Sequence, residues 1–245
     1  MNFADQIALL TGAGTGLGAV LARLLAAQGA RCVLAGRRRE PLEAVAAEIA
    51  AAGGAAEVVP ADVNDPAQVE RLVARAVAWG GGLYIVVNGA GVFQMAPFEK
   101  TSLELFDQTL SVNLRGAFLV CQAVWPHLRA AGGGQIVNLS SISGVQAFRG
   151  NAAYGASKFG LNGLSAVLAL EGRPHGIRVF AVCPASIDTP IWDGQAPDDV
   201  RARMMKPEPV AEFVAHLLAA PPTLAFDPIV IRNFHDPWAG TPGPR

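Results

Sequence analysis

Tyr154 and Lys158 stand four residues apart in Tyr-Gly-Ala-Ser-Lys, thirteen residues after Ser141. On a helix, residues four apart share one face with about 6 Å of axial rise between them. The ammonium of Lys158 can then lie beneath the Tyr154 phenol, and a nearby cation favours phenolate. A free tyrosine titrates near 10, so ionisation near pH 7 needs about 4 kcal/mol of preferential stabilisation. One charge about 4 Å away supplies about 1 kcal/mol in bulk water and roughly 4 in a partly desolvated cleft. The pair reads as a proton-transfer site wherever the fold desolvates it. Taken alone, the spacing also fits ordinary helix packing.

A second group of residues suits a nucleotide. The apolar run Ile7 to Leu10 leads into Thr11-Gly12-Ala13-Gly14-Thr15-Gly16-Leu17-Gly18, which opens a helical pattern. Such a turn lets backbone N–H groups and the helix N-terminus face a pyrophosphate with no Cβ in the way. Gly12, Thr15, Gly16, Leu17 and Gly18 are the candidate contacts, a flexible turn being the alternative. About 20 residues further on, an NAD site usually carries an acid for the ribose. Here the chain reads Ala35-Gly36-Arg37-Arg38-Arg39. With no acid present, Arg37 and Arg38 suit a 2′-phosphate through planar, charge-assisted hydrogen bonds. NADP(H) is therefore the preferred cofactor, with NAD(H) still admissible. A solvated basic start to the next helix fits the same arginines.

The elements that must position these groups alternate along the chain. Ile7 to Leu10, Cys32 to Ala35, Ala56 to Val59, Leu83 to Val87, Gln135 to Leu139, Ile177 to Val182 and Pro228 to Ile231 read as strands. Helical patterns fall at Leu17 to Gln28, Arg39 to Ala52, Pro66 to Trp79, Leu103 to Ala131 and Ala152 to Arg173. Strict alternation with nearly continuous Val/Ile/Leu strands predicts the α/β class. The expectation is a single doubly wound Rossmann-type domain over 1–245, with a mostly parallel sheet of about seven strands. Pro184 to Pro207 interrupts the alternation, with a short helical stretch near Asp198 to Met205, and is a candidate lid. Asp236 to Arg245 is Pro/Gly-rich and reads as an irregular tail.

Bulk properties narrow the function. A length of 245 residues with 51% hydrophobic content fits one α/β core. The net charge of -1, with acids and bases interspersed, offers no basic stripe for nucleic acid and no polybasic segment for a membrane surface. No apolar run has the length of a membrane span, and Met1 to Leu10 lacks a basic n-region, so a cytoplasmic protein is expected. Cys32, Cys121 and Cys183 are far apart in apolar patterns and read as reduced, buried thiols. His127, His175, His216 and His235 are scattered, so a metal site is not expected.

In this order and spacing, the motifs resemble the classical short-chain dehydrogenase/reductase family over almost the whole chain. T-G-x-x-x-G-x-G stands at Thr11 to Gly18, and Asp62-Val63 matches the adenine-side acid with its following apolar residue. N-N-A-G corresponds to Asn88-Gly89-Ala90-Gly91, and the helix asparagine to Asn113. Ser141, Tyr154 and Lys158 follow, then Pro184-Ala185-Ser186-Ile187-Asp188-Thr189 in place of P-G-x-I-x-T. The departures are Gly89 for asparagine, Ala185 for glycine, and Tyr84 where an aspartate often stands. Ala185 would be strained if its backbone needed positive φ.

The resemblance implies hydride transfer between NADP(H) and a carbonyl or secondary alcohol. Tyr154 would be the general acid/base, Ser141 would hydrogen-bond the substrate oxygen, and Lys158 would hold the ribose and depress the tyrosine. Asn113 would anchor a relay water. Asp62, Val63, Asn88, Ala90 and Gly91 would join the cofactor site, and Ile187 and Thr189 would meet the carboxamide of the nicotinamide. Duller roles exist for Ser141, Asn113 and Thr189 as strand-end cap, helix backbone partner and turn former. A non-catalytic nucleotide-binding sensor or scaffold, and a dehydratase or epimerase, are the alternative functions. A homo-oligomer, dimer or tetramer, is expected through the helices at Leu103 to Ala131 and Ala152 to Arg173. Ser143, Phe148 and Trp192 join Ser141 as substrate-binding candidates. The wider pocket set is Val92, Phe93, Met95, Val145, Ser186, Met204 and Met205. It is mostly apolar, with no arginine placed to clamp a carboxylate, which favours an uncharged carbonyl compound; core packing is the alternative.

Overall fold

The computed structural model describes residues 3–226 and 228–238. In chain order lie β1 (Ile7–Thr11), α1 (Gly16–Ala27), β2 (Arg31–Gly36), α2 (Arg39–Ala51), β3 (Ala55–Pro60), α3 (Pro66–Gly80) and β4 (Ile85–Asn88). Then follow α4 (Leu103–Leu110), α5 (Ala117–Ala130), β5 (Gly134–Leu139), α6 (Ala152–Gly172), β6 (Ile177–Pro184), α7 (Asp198–Arg201), α8 (Pro207–Leu218) and β7 (Ile229–Ile231). All seven expected strands are present and pair in parallel, in the order β3-β2-β1-β4-β5-β6-β7.

Side chains alternate across each strand, so each feeds two cores. Ala8 and Leu10 of β1 pack under α1, α2 and α8, against Leu21, Leu25, Leu42 and Val214. Ile7 and Leu9 face the other way, toward α3 and α5, against Leu72, Val73, Val120 and Val124. A sheet covered on both faces needs no polar face, which is why its strands read as continuous apolar runs. The strand order reverses beside β1, where Thr11 is in register with Ala35 on one side and Asn88 on the other. Crossovers leave in opposite directions there, and a crevice opens at the C-terminal strand ends.

One expectation about the helices needs correction, and one helix went unread. Leu103 to Ala131 is not one regular helix, because Ser111–Gly116 between α4 and α5 is a π-helical stretch. There a Cβ on Gly116 would lie 2.6 Å from Val63 Cγ2, and the side chain of Asn113 is bonded to the backbone of Val92. The widened turn brings the helix against both neighbours. Helix α8 is absent from the five helical segments read above. Its buried Val210, Ala211, Val214, Ala215 and Leu218 nevertheless follow helical spacing behind a proline in the first turn.

Candidate active site

Every candidate residue lies at or just beyond the C-terminal end of a strand, or on the helix that follows it. Beyond β1, Gly12 has φ +68°, and a Cβ there would stand 2.5 Å from Gly89 O. A Cβ on Gly18 would stand 2.4 Å from Gly12 O, and Gly16, at φ +55°, sits against the side chain of Thr189. Thr15 precedes α1 without capping it through its side chain, so the first N–H groups of the helix keep their capacity for an anion. Thr11 Oγ1 accepts from Gly89 N at 3.1 Å and Ala90 N at 3.2 Å, tying the β4 loop to the glycine turn.

A cleft of about 980 Å³ runs from this turn, past Arg38 and Gly91, to Ser141, Tyr154 and Lys158, and on to Ile187, Thr189 and Trp192. Gly12, Thr15, Gly16, Leu17, Gly18, Ser143 and Phe148 also line it. Arg37, Asp62, Val63, Asn88, Ala90 and Asn113 do not. Arg37 is exposed on the surface beside the cleft. Asp62 Oδ1 accepts from Asn64 N at 2.9 Å, shaping the turn after β3. Asn88 is buried and donates to Asn138 Oδ1 at 2.8 Å, joining β4 to β5. Asn113 Oδ1 accepts from Val92 N at 2.8 Å, while its Nδ2 donates to Val92 O and Ser157 Oγ. Both amide donors are thus engaged within the protein. Ser157 in turn donates to the carbonyl of Tyr154 at 2.7 Å. Asn113 therefore braces the turn of α6 that carries the tyrosine and lysine.

Lys158 is buried, and its Nζ donates to Leu139 O at 2.7 Å while lying 5.6 Å from the centre of the Tyr154 ring. Ser141 is extended at the end of β5 and accepts from Ser143 N at 3.1 Å. The expected depression of the tyrosine is not what this geometry gives. Desolvation pushes the Tyr154 phenol up to about 12, opposed by its hydrogen bond with Ser141. Burial brings the Lys158 ammonium down to about 8, with a smaller opposing effect from Cys183. The lysine faces a backbone carbonyl and the tyrosine ring, so burial outweighs its attraction for a phenolate.

The departures from the family pattern are resolved locally. Among the described residues the only non-glycine with positive φ is Asp5, so Ala185 carries no left-handed strain, and its N–H donates to Ile231 O at 2.7 Å. A Cβ on Gly89 would lie 2.8 Å from Thr11 O, so the backbone of the β4 loop packs close against the end of β1 here. Tyr84 serves through its backbone, donating to Ile7 O and accepting from Gln135 N at the start of β4.

A short chain dehydrogenase family model matches residues 6–199. The chain belongs to the short chain dehydrogenase family. A D-threitol dehydrogenase of Mycolicibacterium smegmatis is 40% identical over 200 residues, 80% of this chain and 77% of that protein. A metagenomic short-chain oxidoreductase solved in complex with NADP superposes with a TM-score of 0.83 at 34% identity, covering 95% of this chain and 99% of that one. Levodione reductase does so with 0.86 at 30% identity, covering 94% and 96%. As a short-chain oxidoreductase, the chain acts on CH–OH donors with NAD(P). The glycine turn fits such a group, since Gly12 and Gly18 approach backbone too closely for a Cβ and the N-terminus of α1 is left open to a phosphate.

Several lining residues of this short-chain dehydrogenase escaped the sequence reading. Beyond β7 the chain returns over the cleft and contributes Arg232, Asn233 and Trp238. Of the expected irregular tail, 236–238 are described and end at Trp238, while 239–245 lie outside the described residues. A tryptophan within a Pro/Gly-rich segment was the available signal. Arg149 and Arg232 also line the cleft, Arg232 donating to Gln146 Oε1. Met204 is buried, and Met205 pairs with Ile187 at the neck of the loop; neither lines the cleft. Among the described residues, no cluster of three or more His, Cys, Asp or Glu is arranged to hold a metal, and no helix is long and apolar enough to cross a membrane.

Proposed function

We propose that this enzyme interconverts a small-molecule carbonyl compound and its secondary alcohol with NADP(H), using Tyr154 as general acid/base. The observation that carries this reading is the convergence of Ser141, Tyr154 and Lys158 on the cleft that begins at the glycine turn. When bound, the nicotinamide donates or accepts the hydride. The chain's own residues handle the proton and the positioning. A phenol raised to about 12 is protonated at pH 7, which suits donation to a developing alkoxide during carbonyl reduction. Ser141 is placed to hydrogen-bond the same oxygen and so orient it toward the phenol. Lys158, still mostly charged at pH 7, puts a cation beneath the ring, on the side where a ribose would lie. Asn113 is a positioning residue, acting through Ser157 on the first turns of α6. Ile187 and Thr189 border the nicotinamide end, and Thr189 packs on Gly16. The lining position of Arg38 supports NADP(H), as does the solved relative that is described in complex with NADP.

Tyr154→Phe tests the assignment. The variant is expected to keep its affinity for NADPH and to lose at least about 100-fold in kcat for carbonyl reduction. Tryptophan fluorescence titration and steady-state turnover read the two quantities, and a variant retaining more than half its turnover removes Tyr154 from the chemistry.

A further inference from the structure

Four half-buried aromatic side chains from four separate segments form a row along the cleft. It begins at Tyr154 on α6. Phe93, beyond β4, meets the tyrosine edge to face with ring centres 4.7 Å apart. Trp192, in the loop after β6, meets Phe93 at 4.9 Å. Trp238, near the chain end, continues the row at 5.6 Å from Trp192. All four line the same cleft.

The last member is held in place by more than ring contacts. Trp238 Nε1 donates to Ser186 Oγ at 3.3 Å, and Pro237 before it is buried. At the other end of the returning segment, Arg232 donates to Gln146 Oε1 at 3.2 Å across the cleft. Ser143 Oγ accepts from Asn151, and Ser141 Oγ accepts from Ser143 N, which leaves each hydroxyl its proton to donate to a substrate oxygen. Beside the tyrosine, the aromatic row offers the substrate body one continuous wall of ring face and ring edge. Aromatic walls favour flat partners, through stacking and edge contacts added to apolar burial.

We infer that Trp238, together with Trp192 and Phe93, is a specificity-determining residue that selects flat cyclic or aryl carbonyl compounds. The inference rests on the carbonyl-reductase reading above and extends it to the substrate class. A chain segment beyond the last strand thereby becomes part of the substrate site.

The test uses the full-length enzyme with NADPH, a bicyclic aryl ketone such as 1-tetralone, and a small acyclic ketone such as butan-2-one. The wild type is expected to favour the aryl ketone by at least about 10-fold in kcat/KM, and Trp238→Ala to reduce that ratio by about 10-fold, mostly through KM. Trp238→Phe restores most of the ratio, because it keeps a ring at that position. Calorimetric binding of 1-tetralone to the NADPH-loaded protein reads the wall without turnover. Affinity is expected to fall about 10-fold in Trp238→Ala and less than about threefold in Trp238→Phe. Absent turnover combined with this binding pattern overturns the carbonyl-reductase reading but keeps the wall. An unchanged ratio and unchanged binding in Trp238→Ala overturn the inference, as does a wild type that prefers the acyclic ketone. If Trp238→Ala does not fold, Ser186→Ala removes the indole's anchor, and an aryl preference lowered by at least about threefold supports the wall while an unaltered one overturns it.

Discussion

Burial shifts Tyr154 and Lys158 in opposite directions, and the two consequences for stability have opposite signs. The lysine titrates near 8 in the folded chain against an ordinary 10.5. Folding therefore carries a cost below pH 8 that disappears as pH rises from 8 to 10.5. Lys158→Met is accordingly expected to raise stability at pH 7 by about 1 to 3 kcal/mol, after allowing for the lost bond to Leu139 O. That gain should vanish near pH 10.5, and turnover should fall sharply at every pH. Denaturant titrations at pH 7 and pH 10 check this, and a variant less stable than wild type at both refutes it. For Tyr154 the folded value is raised, so stability is intact below 10 and declines as pH climbs from 10 toward 12. At the ribose end, Arg38 lines the cleft and Arg37 does not. Arg38→Ala should thus lower the NADPH:NADH ratio of kcat/KM by at least about 10-fold, the worth of a charge-assisted phosphate contact, and Arg37→Ala by less than about threefold. Gly36→Asp has room, since its Cβ would stand 3.6 Å from Leu42 Cδ2, and combined with Arg38→Ala it should reverse the preference. Equal kcat/KM for the two cofactors in the wild type refutes the NADP assignment.

At the scale of elements, what periodicity encodes was legible and what depends on a single inserted residue was not. The strands are apolar runs bounded by turns, and their number and parallel pairing follow from alternation with helices. The π-helical stretch at Ser111–Gly116 was not legible, because α4, the stretch and α5 follow one another without a turn signal and read as a single helical run. The glycine turn and the Ser141, Tyr154 and Lys158 set were readable from spacing. The upward shift of the phenol was not, since it depends on how completely the fold desolvates the ring. Trp238 belongs to the site only through tertiary contact. The loop expected to act as a lid is closed at its neck by Asp188 N to Met205 O and by Met205 N to Ser186 O. Inside it, Arg201 bridges Asp188 at 2.9 Å and Asp193 at 2.8 Å, while Lys206 bridges Asp188 at 2.8 Å. Lys206 and then Arg201 hold the Asp188 carboxyl below its ordinary 3.8, so the network stays charged across the working pH range. Arg201→Ala should therefore speed hydrogen exchange over 188–206 and raise the KM for ketone severalfold by loosening Trp192. Unaltered exchange in that segment refutes this role for Arg201.

For the whole molecule, the unexplained feature is the apolar surface on α5 and α6. Phe118 is 43% exposed, Phe159 49%, Val167 51% and Leu170 61%. Phe118 and Leu164, with Leu110 of α4 and Leu114 of the π-helical stretch, also line an apolar groove of about 470 Å³. Burying such side chains is worth about 25 cal/mol per Å² of apolar area, and contiguous patches of this kind mark interaction surfaces on soluble proteins. With a net charge of only -1, long-range repulsion between copies is weak and little opposes association. A symmetric dimer that pairs α5 and α6 of one copy with those of another is therefore expected. Phe159→Asp with Leu170→Asp places four carboxylates in each symmetric contact. It should convert the assembly to a 25.4 kDa species in sedimentation velocity at micromolar concentration, with the fold retained by circular dichroism. Each substitution sits on an exposed helix face outside both core clusters, so with the fold retained the outcome reads association. A wild type that already sediments as a single 25.4 kDa species assigns the exposed apolar face to something other than a second copy.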